Sequence, residues 1–290
     1  MTVQRTIDGI DSPEALKAAL SAAQYLAGDG LATSAYLALA LGKPLLLEGA
    51  PGVGKTEAAK ALASALMREM IRLQCFEGID AASAMYEWNY ARQMLAIRQA
   101  GEGEEPDIYA DRFLIERPML KALRNGRHSL LLVDEIDRSD HEFEAFLLEY
   151  LSDFQISIPE TGTVSALHRP IIVLTSNRTR DLHEALRRRC VYHWIDFPEP
   201  ELEADIVMAR AGSVARDTAR AIVAAVNRMR QEPLAKPPGI AETIEWAEAA
   251  TVLNSLGHGW PEAFRQSIGV ALKDQDDLGF LEPRMAEMIG

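Results

Sequence analysis

The stretch from Pro44 to Leu62 constrains this chain most. Leu45-Leu46-Leu47-Glu48 is an apolar run opened by Pro44, and it reads as a buried strand. Thr56–Leu62 reads as a helix. Between them stand Gly49, Ala50, Pro51, Gly52, Val53, Gly54, Lys55 and Thr56, which fit Gly-x-x-x-x-Gly-Lys-(Ser/Thr). Strand, glycine loop and helix are the context this motif requires. Glycines let the backbone curl until successive N–H groups face one anion. The helix N-terminus adds about half a positive charge. The Lys55 ammonium can reach the β- and γ-phosphates, and the Thr56 hydroxyl can hold Mg2+. The stretch predicts a bound nucleoside triphosphate over the alternative of a tight structural turn.

Two further strands end in polar clusters. Leu130-Leu131-Leu132-Val133-Asp134-Glu135 is an apolar strand finishing on two carboxylates. A strand buried on both faces first shows polar residues at its C-terminal edge, where open α/β sheets bind ligands. Asp134 there can accept from Mg2+-bound water, and Glu135 can orient and deprotonate an attacking water. Ile171-Ile172-Val173-Leu174-Thr175-Ser176-Asn177 repeats the design, with Asn177 expected near the γ-phosphate. Alone, that asparagine would be an ordinary loop cap. Arg187-Arg188-Arg189 closes a short helical run, Asp181–Leu186. Dipole compensation explains one cation at a helix C-terminus. Three suggest a guanidinium donated to a neighbouring subunit's γ-phosphate, Arg189 first and Arg188 second.

The spacing of elements predicts two domains. Ser12 caps a first helix running to about Ala27; Gly28-Asp29-Gly30 breaks it, and a second helix covers Ala32–Ala40. Strands are expected at 45–48, 71–75, 129–133, 171–175 and 192–195. Residues 82–100 read as one helix, with Met85, Trp88, Ala91, Met94, Leu95 and Ile97 at three-to-four spacing. Tyr86, Trp88 and Tyr90 there could form a substrate-facing surface or pack inward. Gly101–Pro106 reads as a polar, mobile loop. Phe154–Ile158 and Val164–His168 read as a β-hairpin around Pro159–Gly162. Apolar strands alternating with helices imply a mostly parallel sheet. Beyond Phe197–Pro200 only alanine-rich helical segments follow, at 200–212, 214–231, 240–254 and 260–272. The expected division is 1–199, an α/β nucleotide-binding domain, and 200–290, a smaller helical lid.

Composition narrows the function. The chain has 290 residues and a net charge of −13. A strongly acidic chain is a poor non-specific binder of nucleic acid, although Arg178–Arg189 could form a local basic patch. Two cysteines, Cys75 and Cys190, are too few for a disulfide framework or zinc site and suit a reducing cytosol. No stretch reaches the ~18 apolar residues of a membrane span. The N-terminus lacks the apolar core of an export signal. A cytoplasmic location is expected. The six histidines show no metal-ligand spacing.

With phosphate loop, acid pair, polar strand end and arginine run in this order, the chain resembles the AAA+ ATPases. LLLVDEIDRSD at 130–140, with the helix that follows, is similar to the MoxR family. RLQCFEGID from Arg72, YEWNY from Tyr86, TSNRTR from Thr175 and RCVYHWID from Arg189 resemble its CoxD-like branch, maturation factors of molybdenum-containing carbon monoxide dehydrogenase and related hydroxylases. The resemblance implies strand order 5-1-4-3-2, an insertion near 80–100, and a hexameric ring. It further implies Mg2+-dependent ATP hydrolysis and a client metalloenzyme reached through a separate von Willebrand A-type adaptor. It places Lys55 and Thr56 on phosphate and magnesium, Asp134 on magnesium, Glu135 as base, Asn177 as sensor and Arg189 as finger. Thr243 stands where relatives often carry a second sensor arginine. An activase, a DNA-remodelling motor and a non-hydrolysing switch remain as alternatives.

Overall fold

A computed structural model describes residues 9–101, 105–212 and 214–289. Residues 102–104 of the expected mobile loop and the first eight residues lie outside these. Five strands form the central sheet: β1 (Leu45–Gly49), β2 (Glu69–Gln74), β3 (Ser129–Asp134), β4 (Ile171–Ser176) and β5 (Val191–Ile195). Their order is β2-β3-β4-β1-β5, the expected 5-1-4-3-2 read from the other edge. β2–β3, β3–β4 and β4–β1 pair in parallel, with Gln74 opposite Asp134, Val133 opposite Leu174, and Glu48 opposite Ser176. β1 and β3 are buried at every position, as strands covered on both faces must be. β2 lies at the edge and alternates: Ile71 and Leu73 are buried, while Arg72 is exposed between them.

Residues through Ala19, Gly28–Glu48 and Ala59–Trp194 form one compact unit. One apolar cluster there joins Leu131 and Val133 of the sheet to Met119, Leu120 and Leu123 of the helix Pro118–Asn125 and to Phe143 and Leu147 of the helix His141–Asp153. Ser12 accepts from the Ala15 N–H as expected, but the first helix ends at Ala22 and the second already begins at Asp29. Gly28 is the N-cap there, in extended backbone, so the Gly-Asp-Gly triplet starts the second helix and does not end the first.

The expected single helix over 82–100 is a helix, a strand and a helix: Ala81–Met85, Tyr86–Trp88 and Tyr90–Gln99. Tyr86-Glu87-Trp88 pairs antiparallel with Leu114–Glu116, and Asn89 caps the second helix through the Arg92 N–H. Two aromatic residues with a strand partner in reach outweigh helical spacing. Trp88 is buried, in edge contact with Tyr86 and Tyr109, while Tyr90, Met94, Leu95 and Ile97 are exposed. The hairpin is present, with Gln155–Ile158 against Gly162–Ser165. Its return strand starts earlier than expected, because Gly162 adopts φ 96° opposite Ile158.

The second unit comprises Leu20–Ala27, Gly49–Ala58 and the chain from Ile195 onward. Its helices span Pro200–Arg210, Arg216–Arg230, Ile240–Ser255, Trp260–Gln266, Ile268–Ala271, Gln275–Leu281 and Met285–Ile289. The last two go beyond the expected elements. Val207, Ile222, Val226, Met229, Trp246 and Phe264 form its core.

Candidate functional site

The phosphate-loop residues belong to the helical unit. Gly52 and Gly54 have φ 79° and 89°, conformations that a side chain rarely tolerates. Crowding adds a second constraint: a Cβ at Gly52 would lie 2.8 Å from the Gly239 Cα, and one at Gly49 only 2.2 Å from the Ile195 carbonyl oxygen. Lys55 opens the helix Lys55–Ala65. Its buried ammonium donates to the Gly49 and Ala50 carbonyls, both at 2.8 Å. It thereby ties the start of the loop to the start of the helix. The Gly52 carbonyl accepts from the Ile240 N–H at 2.9 Å, so the helix Ile240–Ser255 begins directly on the loop. Tyr25 also lies beside Gly54. Burial, and after it the Glu57 charge, raises its hydroxyl pKa.

Thr243, expected at a sensor position, is fully buried. Its hydroxyl donates to the Gly239 carbonyl at 2.8 Å and also lies 3.2 Å from Glu203 Oε1. Arg230 forms a two-pronged pair with Glu203, both contacts 2.8 Å, donates to the Pro238 carbonyl, and lies 3.9 Å over the Phe197 ring. Thr243 is thus a structural residue. It joins a buried arginine–glutamate pair to the first turn of the helix that rests on the loop.

The acid pair belongs to the sheet unit. Asp134 ends β3, buried; its Oδ1 accepts from Thr175 Oγ1, and its Oδ2 from Arg72 Nε at 2.9 Å. The Glu135 N–H donates to the same Thr175 oxygen at 2.9 Å. Glu135 adopts the left-handed conformation, φ 55° and ψ 51°. A non-glycine residue held there stores backbone strain, a recurrent property of functional positions. Its Oε2 accepts from Gln74 Nε2 and Arg138 Nη1, both at 3.0 Å, and its Oε1 lies 3.4 Å from Asn177 Nδ2. Asp137, buried, accepts from the Asn177 N–H and from the N–H and hydroxyl of Thr179, fixing the turn after β4. The structure thus brings Asp134, Glu135 and Asn177 together. Thr175, Arg72, Gln74, Arg138 and Asp137 join them without having been singled out. The available clue was Arg72 and Gln74, two polar residues at i, i+2 in a strand apolar at the alternate positions.

The arginine helix is Glu184–Arg189, starting later than expected because His183 caps it through the Ala185 N–H. Its three arginines differ. Arg187 pairs with the buried Glu48 carboxylate at 3.4 Å and lies 5.5 Å over the Tyr192 ring. Arg188 is exposed and pairs with Glu184 one turn back. Arg189 is exposed and donates to the Ser152 hydroxyl at 3.0 Å. Burial pushes both thiols up to about 12; at Cys75 the charges of Asp134, Asp137 and Glu135 add to the effect and Arg180 opposes it, whereas at Cys190 Lys43 opposes it.

Sheet order, glycine loop and acid pair define the α/β class of phosphate-loop proteins. Within that class, the model of the ATPase family associated with various cellular activities (AAA) matches residues 45–198, more than half of the chain, and the chain belongs to that family. The uncharacterized protein SH1500 of Staphylococcus haemolyticus (strain JCSC1435) is 27% identical over 175 residues, 58% of this chain and 60% of the relative. The uncharacterized protein YehL of Escherichia coli (strain K12) is 28% identical over 184 residues, 60% of this chain and 47% of the relative. The chain therefore spans about half to three-fifths of the length of these curated relatives. Among solved structures, the Thermotoga maritima RuvB Holliday junction branch migration motor aligns with TM-score 0.51 and 17% identity, covering 100% of this chain and 81% of that one. A mutant of the same RuvB gives 0.53 and 18%, with the same coverage. At such identities the likeness is one of fold. Among the described residues, no helix is long and apolar enough to cross a membrane.

Proposed function

We propose that this chain hydrolyses ATP and uses the energy to remodel a partner protein. The observation that carries the hydrolytic reading is Glu135: a strained, left-handed carboxylate beside Asp134, with the Asn177 amide 3.4 Å away. That is a positioned base with a polar neighbour able to orient water. In this reading, the backbone of Gly49–Thr56 and the Lys55 ammonium hold the phosphates. The Thr56 hydroxyl and Asp134 carboxylate are hard oxygen donors of the kind Mg2+ takes. Among the described residues no group of three or more His, Cys, Asp or Glu side chains could hold a metal. The protein would therefore supply a minority of the ligands, the rest being phosphate and water. Mg2+, when bound, neutralises phosphate charge. Glu135 takes the proton of the attacking water, and Asn177 holds that water in line.

The exposed Arg188 and Arg189 are the candidates for a finger acting on a neighbouring subunit of a ring, proposed to be hexameric. Arg187 is committed to Glu48 within its own chain. The sequence similarity to the MoxR family's CoxD-like branch supports a role in maturing the metal site of an apo-metalloenzyme, through a von Willebrand A-type adaptor. Steady-state hydrolysis and nucleotide binding test the core of this reading. Wild-type protein should turn over ATP with Mg2+, and Glu135→Gln should bind ATP while hydrolysing it poorly. A partner trapped on Glu135→Gln with ATP would identify the client class. Hydrolysis stimulated by DNA would favour a nucleic-acid motor instead, against the net charge of −13.

A further inference from the structure

Both carboxylates of the acid pair are engaged by the edge strand. Arg72 Nε donates to Asp134 Oδ2 at 2.9 Å, and Arg72 Nη2 lies 2.6 Å from the same carboxylate oxygen. Gln74, two residues on and so on the same face of β2, donates to Glu135 and accepts from Arg72. The two partners in the ion pair are unequal. Asp134 has 2% of its side chain exposed and Arg72 46%. Asp134 is fixed at the end of a central strand, with its other oxygen taken by the Thr175 hydroxyl. Arg72 reaches it from the sheet edge on a long, half-solvated stem.

A carboxylate this buried demands a positive charge, because desolvation penalises it otherwise. The guanidinium occupies acceptor positions that a Mg2+-bound water would need, and the two cations repel each other, so a divalent ion and the guanidinium compete there. The arginine is the partner free to leave, since water can solvate it where it stands. We infer that Arg72 is the resident counter-ion of Asp134 and competes with Mg2+ for it, so that this positioning residue sets the metal concentration at which the site loads. Arg72 holds the buried carboxylate in its orientation before the metal arrives. It also makes the site discriminate against free divalent ions, favouring metal that arrives with phosphate charge of its own. This inference rests on the assignment of Asp134 to the metal.

The test uses the full chain and a fluorescent ATP analogue, titrated with Mg2+ to find the concentration at half-maximal tight binding; Mn2+ electron paramagnetic resonance provides a second, activity-free readout. Arg72→Gln removes the competing charge and should lower that concentration about fivefold, the size expected for loss of a half-exposed ion pair. Arg72→Lys keeps the charge and should stay close to wild type. An unchanged or higher Mg2+ requirement in Arg72→Gln, with a normal circular dichroism spectrum, would overturn the competition. Asp134→Asn separates this failure from that of the underlying reading. If Asp134→Asn raises the requirement while Arg72→Gln leaves it alone, only the counter-ion role falls. If Asp134→Asn leaves it at the wild-type value, the metal assignment itself falls, and the inference with it.

Discussion

Glu135 concentrates the residue-scale argument. Three neighbours hold its carboxylate and its backbone is strained, so Glu135→Gln should preserve the shape while removing the proposed base. Hydrolysis is expected to fall by about 100-fold or more, with ATP affinity retained; single-turnover rates near wild type would refute its role. Lys55→Ala should abolish nucleotide binding in an equilibrium titration, and unchanged affinity would sink the loop assignment. The thiols offer a pH test. Each has an ordinary pKa of 9.0, raised to about 12 in the folded chain. Above pH 9 the unfolded chain releases these protons while the folded chain keeps them, so this contribution to stability is present below pH 9 and drains away towards pH 12. Denaturant midpoints measured from pH 8 to pH 11 should fall, and replacing both cysteines with alanine should flatten that slope.

At the scale of elements, two packing devices can be separated from chemistry. The Arg230–Glu203–Thr243 group seats the helix Ile240–Ser255 against Gly52. Glu203→Ala strands a buried guanidinium and should cost about 3 kcal/mol in chemical denaturation. A loss under 1 kcal/mol would show the pair to be incidental. In the inserted segment, Trp88→Ala should cost about 3 kcal/mol, whereas Tyr90→Ala, at an exposed position, should change stability by less than about 0.5 kcal/mol. Equal effects would contradict the placement of the strand Tyr86–Trp88. This segment is also where sequence reading was least informative. Helical spacing of Met94, Leu95 and Ile97 is genuine, since they lie on a helix, yet they remain exposed. Spacing reports local geometry, while burial depends on what packs opposite. Leu114–Glu116, the partner that turns Tyr86–Trp88 into a strand, lies about 28 residues away and shows no strand pattern of its own.

At the scale of the molecule, the arginines distinguish a pocket in one chain from a joint between chains. Arg187→Ala should destabilise the fold by leaving Glu48 buried without its cation, and so lower the melting temperature. Arg188→Ala and Arg189→Ala should melt like wild type. If Arg189 acts on a neighbouring subunit, mixing Arg189→Ala with Lys55→Ala subunits should restore part of the ATPase rate that each lacks alone; no rescue at any ratio would place the finger elsewhere.

The sequence by itself located five strands along the chain, the glycine loop and the positions of Asp134, Glu135 and Asn177, while the order of the strands in the sheet was implied by the family resemblance and is seen in the fold. Short, continuous apolar runs that end in polar residues suit central strands whose ends open on one sheet edge. Tertiary structure alone decided the fates of Arg72, Arg187, Arg230 and Thr243. Local context names the partner of none of them. Each acquires its role from a buried charge or carbonyl supplied by a distant segment: Asp134 for Arg72, Glu48 for Arg187, Glu203 for Arg230 and Thr243. Periodicity records which side of an element meets water. It carries no record of which charge waits on the other side, and that pairing sets what the buried polar residues of this protein do.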